Sequence, residues 1–235
     1  MKQYKAILPD YPQTKHVPFK PNMSKDDVEA SFNEVKIIFT SPCQITEKVD
    51  GANCAMALHE GEPIIRNRNH ILKKGFHKNT AAKMQFASVF NWFYKNKTLY
   101  ETLNEIHPNL GVYGEWVLAI HGMKYDKLPD YFIAYDLYDY AEKKYLHTQT
   151  ARKLLLQAGF EVVPELYYGK VKSFEQLEDF CDLNSDYAKD QKAEGIYLKV
   201  DGSDGIIDRF KMIREGFVQS ALWNPEKFEK NLLEK

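Results

Sequence analysis

Cysteine is sparse in this sequence. The 235 residues hold three, Cys43, Cys54 and Cys181, an odd number with no paired spacing. No Cys/His cluster shows zinc-ligand spacing, so a structural zinc site of the usual kind is excluded. A disulfide framework is excluded too, and free thiols in a reducing compartment are expected. Long apolar runs are also missing. The N-terminal stretch MKQYKAILPDYPQTKHVPFKPN lacks the apolar core of a signal peptide, and no later segment approaches a membrane span. A soluble, cytoplasmic protein is expected, with the nucleus also open in a eukaryote. Neither sign of charge dominates: 32 Lys and Arg stand against 33 Asp and Glu, for a net charge of −1. That excludes a wholesale basic protein but leaves room for a local phosphate-binding patch. No repeat, low-complexity segment or Pro/Gly/Ser linker divides the chain.

What the chain does have is core-forming material, 44% hydrophobic and 14% aromatic residues, enough for a sizeable interior. Ser24-Lys25-Asp26-Asp27 reads as a helix start with Ser24 as N-cap, the helix running to about Ile37 or Ile38. Strands are expected at about 43–48, 53–59 and 63–68, the last two joined across Glu60-Gly61-Glu62. A basic loop with one aromatic, RNRNHILKKGFHKN (66–79), follows. Phe86, Val89, Phe90 and Phe93 give a helical apolar face within a long helix from about Thr80 to Ile106. Strands at 111–119 and 131–138, a helix at 148–158 closed by Gly159, a strand near 161–167 and a helix near 173–183 come next. A last hairpin pairs 194–200 with 206–213, and the end from Glu215 looks helical and charged. The pattern predicts one α+β domain over 1–235, of mainly antiparallel sheets flanked by helices.

Five stretches carry residues suited to chemistry. Lys48-Val49-Asp50-Gly51 lies between two strands. It reads either as a strand end with a solvated lysine or as a nucleophile beside a tight turn. Arg66-Asn67-Arg68-Asn69 is either a solvated basic loop or a guanidinium fork for a phosphate or sugar. In Val112-Tyr113-Gly114-Glu115-Trp116 an acid interrupts an apolar strand, and Gly114 would permit close approach of a ligand. In Phe132-Ile133-Ala134-Tyr135-Asp136, Tyr135 is either core or a flat ring for a purine. Finally, Glu194-Gly195 opens a strand carrying Lys199, and Arg209 and Lys211 share one face of the next. These cations read either as a polar sheet face or as the lining of a phosphate pocket.

This order of stretches resembles the covalent nucleotidyltransferase superfamily of ATP-dependent RNA and DNA ligases and mRNA capping enzymes. Lys48-Val49-Asp50-Gly51 resembles its motif I, and Arg68 the arginine after the following hairpin. Glu115 resembles motif III, Tyr135 the aromatic of motif IIIa, Glu194-Gly195 motif IV and Arg209-x-Lys211 motif V. The likeness covers about residues 43–214. The Glu-Lys-x-x-Gly-x-Asn and Gly-Glu-Trp forms are most similar to RNA ligases of the nick-sealing type. Two departures stand out. Arg209 occupies a place where the family usually has lysine. Only 24 residues follow Lys211, and neither flank has room for the OB-fold domain that many members append, so a nearly bare catalytic domain is expected.

The resemblance implies a nucleotidyltransferase (ATP-grasp-like) fold and ATP-dependent ligation in three steps: a lysyl–AMP adduct on Lys48, transfer of AMP to a 5′-phosphate end, and attack by a 3′-hydroxyl. It implies catalytic roles for Lys48, Asp50, Arg68, Glu115, Glu194, Arg209 and Lys211. Nucleotide contacts are expected from Glu47, Lys48, Asn53, Arg68, Glu115, Tyr135, Lys199, Arg209 and Lys211. Mg²⁺ or Mn²⁺ is expected on Asp50, Glu115 and Glu194. Cations around Lys48 are expected to lower its pKa for attack. The implied partner is nucleic acid with 3′-OH and 5′-phosphate ends, RNA or an RNA-containing nicked duplex, gripped in part by the 66–79 loop, with the protein a monomer. A DNA ligase, a capping-type guanylyltransferase and a non-catalytic RNA- or nucleotide-binding module are the competing readings.

Overall fold

The computed structural model describes residues 2–18, 27–75, 84–218 and 228–234. Two five-stranded sheets face each other. Strands are β1 (Lys15–His16), β2 (Cys43–Glu47), β3 (Ala52–His59), β4 (Glu62–Asn67), β5 (Leu110–Trp116), β6 (Phe132–Asp139), β7 (Lys144–Tyr145), β8 (Glu165–Gly169), β9 (Gly195–Gly202) and β10 (Gly205–Ile213). The first sheet runs β1-β10-β9-β2-β8 and the second β4-β3-β5-β6-β7. Every strand pair is antiparallel except the short β1–β10 pair.

Alternation along the strands assigns their faces. Ile196, Leu198 and Val200 of β9, with Phe210 and Met212 of β10, point to a core shared with Val35, Ile38 and Leu177. The intervening Tyr197, Lys199, Arg209 and Lys211 therefore face the second sheet. In that sheet Cys54, Met56, Val112, Phe132 and Ala134 point outward to Phe93, Tyr100, Leu103 and Leu155 of the covering helices. Those helices are α4 (Val89–Lys95), α5 (Lys97–Ile106) and α6 (Thr148–Ala158). The odd-numbered neighbours Asn53 and Glu115, cross-strand partners, face inward.

Several helix expectations need correction. Ser24 lies outside the described residues, and residues 27–30 are not helical. His16 donates to Val28 and accepts from Ala30 through the backbone, which holds that segment extended. The helix α2 (Phe32–Val35) starts instead at Ser31, in a capping box with Glu34. It breaks at Lys36 before α3 (Ile37–Thr40). The long helix begins at Val89 among the described residues and breaks at Asn96, which separates α4 from α5. Residues 228–234 are extended, not helical, with bridges from Lys230 to Ala119 and from Leu233 to Leu128. Gly159 does close α6 in the left-handed region, at φ 89°. The remaining helices are α1 (Lys2–Ile7) and α7 (Phe174–Cys181). Among the described residues no helix is long and apolar enough to cross a membrane.

Candidate active site

The strand β2 belongs to one sheet and β3 to the other, so Lys48–Gly51 is where the chain crosses between them. The Lys48 N–H donates to the Gly195 carbonyl at 2.9 Å, extending the β2–β9 pairing by one residue and setting Lys48 beside Glu194. Gly51 lets the crossing lie flat on β5. A Cβ there would sit 2.9 Å from the Trp116 oxygen and 3.0 Å from Glu115 Cγ. Gly195 meets the same constraint from the other sheet, since its Cβ would lie 2.1 Å from the Met212 oxygen. Asp50 anchors the turn: its Oδ2 accepts from Gly122 N (2.5 Å) and Met123 N (2.7 Å), and its own N–H donates to the Tyr125 hydroxyl (2.7 Å). Asn231, fully buried, braces the same loop through Tyr125 N, Val117 O and Ala119 O. No sequence signal marked Asn231.

Lys48 Nζ lies 2.6 Å from Glu194 Oε2, with the Glu194 side chain 1% exposed. Burial works against the Lys48 charge, but the carboxylates of Glu194, Asp50 and Glu115 outweigh it and hold the amine above the ordinary lysine range. This reverses the expectation of a cationic surround: Lys48 sits among acids. Glu115 shares these surroundings, and loss of bulk water pushes its carboxyl up to about 8, against the pull of Lys48 and Arg68. Burial also raises Glu194, with Lys48 and Lys211 opposing. The three assigned metal carboxylates do not form a ready-made metal cluster: among the described residues no group of three or more His, Cys, Asp or Glu is so arranged, and one Asp50 oxygen serves two amides.

Glu47, Lys48, Glu115, Tyr135, Tyr197 and Lys199 line a cavity between the sheets, with Val49, Ile133 and Val163 as its apolar wall. Tyr135 keeps its hydroxyl on Asn53 Nδ2 at 2.5 Å. Lys211 is 2.5 Å from Asp27 Oδ1, and His16 Nε2 is 3.2 Å from Asp27 Oδ2. Arg68 is exposed, and near enough for its charge to act on Glu115.

Other assignments change. Both Glu47 oxygens serve the protein, accepting from Ser185 Oγ (2.5 Å) and Asp186 N (3.0 Å). Arg209 is buried and held by Asp136 and the Tyr11 hydroxyl, so it does not line the phosphate pocket expected of it. Arg66 belongs to no solvated loop: it is 1% exposed, with its guanidinium on Asp10, Leu8 O and Arg68 O. Gly114 makes room for the protein itself, since a Cβ would meet Ile133 O at 2.5 Å and the Phe132 ring at 2.6 Å. Lys73 and Lys74 are exposed, while Phe76 and Lys78 lie outside the described residues. The motifs do not name Asp136 or Tyr11 as site residues. The available signal was an acid inside an apolar strand, which demands buried donors.

No curated protein matches the sequence. Among solved structures the chain is similar to the Naegleria gruberi RNA ligase with PPi, at 22% identity and a TM-score of 0.61, covering 87% of this chain and 60% of that one. A variant of that ligase with ATP and Mn gives 20% identity and 0.59, with the same coverage. An archaeal ATP-dependent RNA ligase gives 17% identity and 0.58, covering 87% and 48%. The chain thus spans about 60% or less of the length of these three structures. The RNA ligase family model matches residues 41–213. That match runs from the strand before Lys48 to the end of β10 and takes in every element that builds the cavity wall from Thr46 to Lys199. The chain belongs to the RNA ligase family.

Proposed function

We propose that the protein is an ATP-dependent RNA ligase in which Lys48 carries the adenylate. One observation carries this reading: the Lys48 amine is held 2.6 Å from a buried carboxylate, Glu194, at the wall of an inter-sheet cavity. The attack forms a bond from Lys48 Nζ to the α-phosphorus of ATP and expels pyrophosphate. Before it, the ammonium must give up a proton, and Glu194 Oε2 is the acceptor in contact. Water exclusion raises the affinity of Glu194 for that proton. Tyr135 presents its ring to adenine, and Lys211 and Arg68 supply positive charge where phosphate charge builds. AMP then moves to a 5′-phosphate end, and a 3′-hydroxyl displaces it.

The carboxylates of Glu115 and Glu194 beside Lys48 are hard oxygen donors of the kind a divalent cation takes, whereas Asp50 is engaged by the turn. Glu115 and Glu194 would hold Mg²⁺ or Mn²⁺, which when bound neutralises charge on the phosphates. The substrate is RNA or an RNA-containing nicked duplex, with Arg68, Lys73 and Lys74 on its backbone, and the enzyme is a cytoplasmic monomer.

Incubation with α-labelled ATP tests the assignment. The wild-type chain should retain label, whereas Lys48→Ala and Lys48→Arg should not, since arginine stays protonated. Label on Lys48→Ala would remove Lys48 as the nucleophile. A panel of nicked and single-stranded RNA, DNA and hybrid ends then separates an RNA ligase from a DNA ligase, and labelled GTP excludes capping chemistry.

A further inference from the structure

Arg209 stands where a lysine is expected, and its surroundings give the substitution a role. In the β5–β6 pairing Tyr113 faces Asp136 and Gly114 faces Ala134, so Tyr135 is an extra residue in the ladder. That bulge leaves Tyr135 and Asp136 both directed between the sheets. Asp136, fully buried, binds three donors from elsewhere in the fold. Its Oδ1 lies 2.6 Å from Lys199 Nζ. Its Oδ2 accepts from the Tyr11 hydroxyl at 2.6 Å and from Arg209 at 3.3 Å. Arg209 Nε donates to the same Tyr11 hydroxyl at 3.1 Å. The guanidinium carbon is 4.3 Å from the Tyr145 ring centroid and 5.2 Å from that of Tyr11. Lys199, which also donates to Tyr135 O at 2.9 Å, is the member of this cluster that lines the cavity.

The position of Tyr11 is fixed from both ends. Before it, Leu8 fills the space over Gly111, and Pro9 O accepts from the Tyr113 hydroxyl at 2.6 Å. After it, β1 pairs with Phe210 and Lys211 at the edge of the other sheet. A lysine at 209 would keep the charge. It has neither the fork to reach Asp136 and Tyr11 together nor the flat face that sits against the two rings.

Resting on the ligase reading above, we propose that Arg209 and Tyr11 are positioning residues, which through Asp136 fix the Lys199 ammonium against the cavity where the nucleotide phosphates bind. Arg209 thereby acts on the nucleotide through Lys199 and does not touch it.

Two measurements on the full chain test this. The first needs no nucleotide. The ¹⁵N signal of the Lys199 ammonium, protected from exchange by its contacts, should be present in the wild type and lost in Arg209→Lys and Tyr11→Phe, both mild enough to fold. The second is ATP affinity in a Lys48→Ala background, where no adduct forms. Arg209→Lys and Arg209→Gln should each weaken ATP about tenfold, and Arg209→Gln added to Lys199→Gln should cost less than about threefold more. An unchanged Lys199 signal overturns the proposal. So does wild-type ATP affinity in Arg209→Lys, which would make Arg209 a bare charge on the nucleotide. Absence of ATP binding by every chain would strike the ligase reading instead, with the ammonium signal still deciding the positioning role.

Discussion

Replacing Glu47 by glutamine is predicted to stabilise the protein, and increasingly so as pH rises. Glu47 is 3% exposed, and burial pushes its carboxyl from 4.5 up to about 7, against hydrogen bonds from Ser185 and Asp186. Between those values the folded chain keeps a proton that the unfolded chain has released. Unfolding therefore becomes easier as pH climbs through the window, and the effect levels off above about 7. With 4.5 unfolded and about 7 folded, the group lowers the unfolding free energy by about 1 kcal/mol at pH 5 and about 3 kcal/mol at pH 8. Glutamine does not titrate, and its amide can accept from Asp186 N and donate to Ser185 Oγ. Urea titrations of both chains at pH 5 and pH 8 measure the difference, and the other titrating groups cancel between them. The advantage of Glu47→Gln should grow by about 2 kcal/mol from pH 5 to pH 8. A difference flat with pH, or one growing toward acid, would mean that Ser185 and Asp186 hold the carboxylate ionised, and the reasoning would fail.

Two further outcomes follow from the site. Gly51→Ala places a Cβ 2.9 Å from Trp116 O and Val117 Cγ1. It should cost about 1–3 kcal/mol of stability and, by displacing the crossing, slow adenylate formation on Lys48 by up to about 100-fold; an undiminished rate would show that the crossing tolerates the shift. Lys73 and Lys74 are exposed, and replacing both by glutamine should reduce the salt slope of single-stranded RNA binding by about 1.4 while sparing ATP labelling. An unchanged slope would mark both as solvated surface.

The strands were legible because their alternation is a local property. β2 to β5 and the β9–β10 hairpin fall close to their expected bounds, and the inward phase of Lys199, Arg209 and Lys211 follows from it. Ser24-Lys25-Asp26-Asp27 has the composition of a helix start, and composition is blind to pairing with a distant segment. Backbone pairing of His16 with Val28 and Ala30 holds that segment extended, and the cap falls at Ser31; the pairing is remote in sequence. The same limit applies in the site. The motif order names Lys48, Glu115 and Glu194 without showing which charges surround the amine, and motif V names Arg209 without the Tyr11–Asp136 contacts that turn it inward. Glycines misled for a related reason. Gly114 reads as space for a ligand, yet the space is taken by Ile133 and Phe132.

An acid-rich setting for Lys48 makes ligand binding a protonation problem, and this can be measured directly. With its carboxyl pushed up to about 8, Glu115 is about nine-tenths protonated at pH 7. Binding Mn²⁺ through a carboxylate requires the ionised form, so loading at pH 7 should release close to one proton per ion. Calorimetry in buffers of different ionisation enthalpy reads that number. The apparent affinity should rise as pH approaches about 8 and flatten above it, because the proton is then already gone. Glu115→Gln should abolish the release at this position, leaving only any contribution from Glu194, which burial also raises. A wild-type enthalpy independent of buffer would show that the cation binds without displacing a proton from Glu115, and the pocket would then be poised by some group other than the acids around the amine.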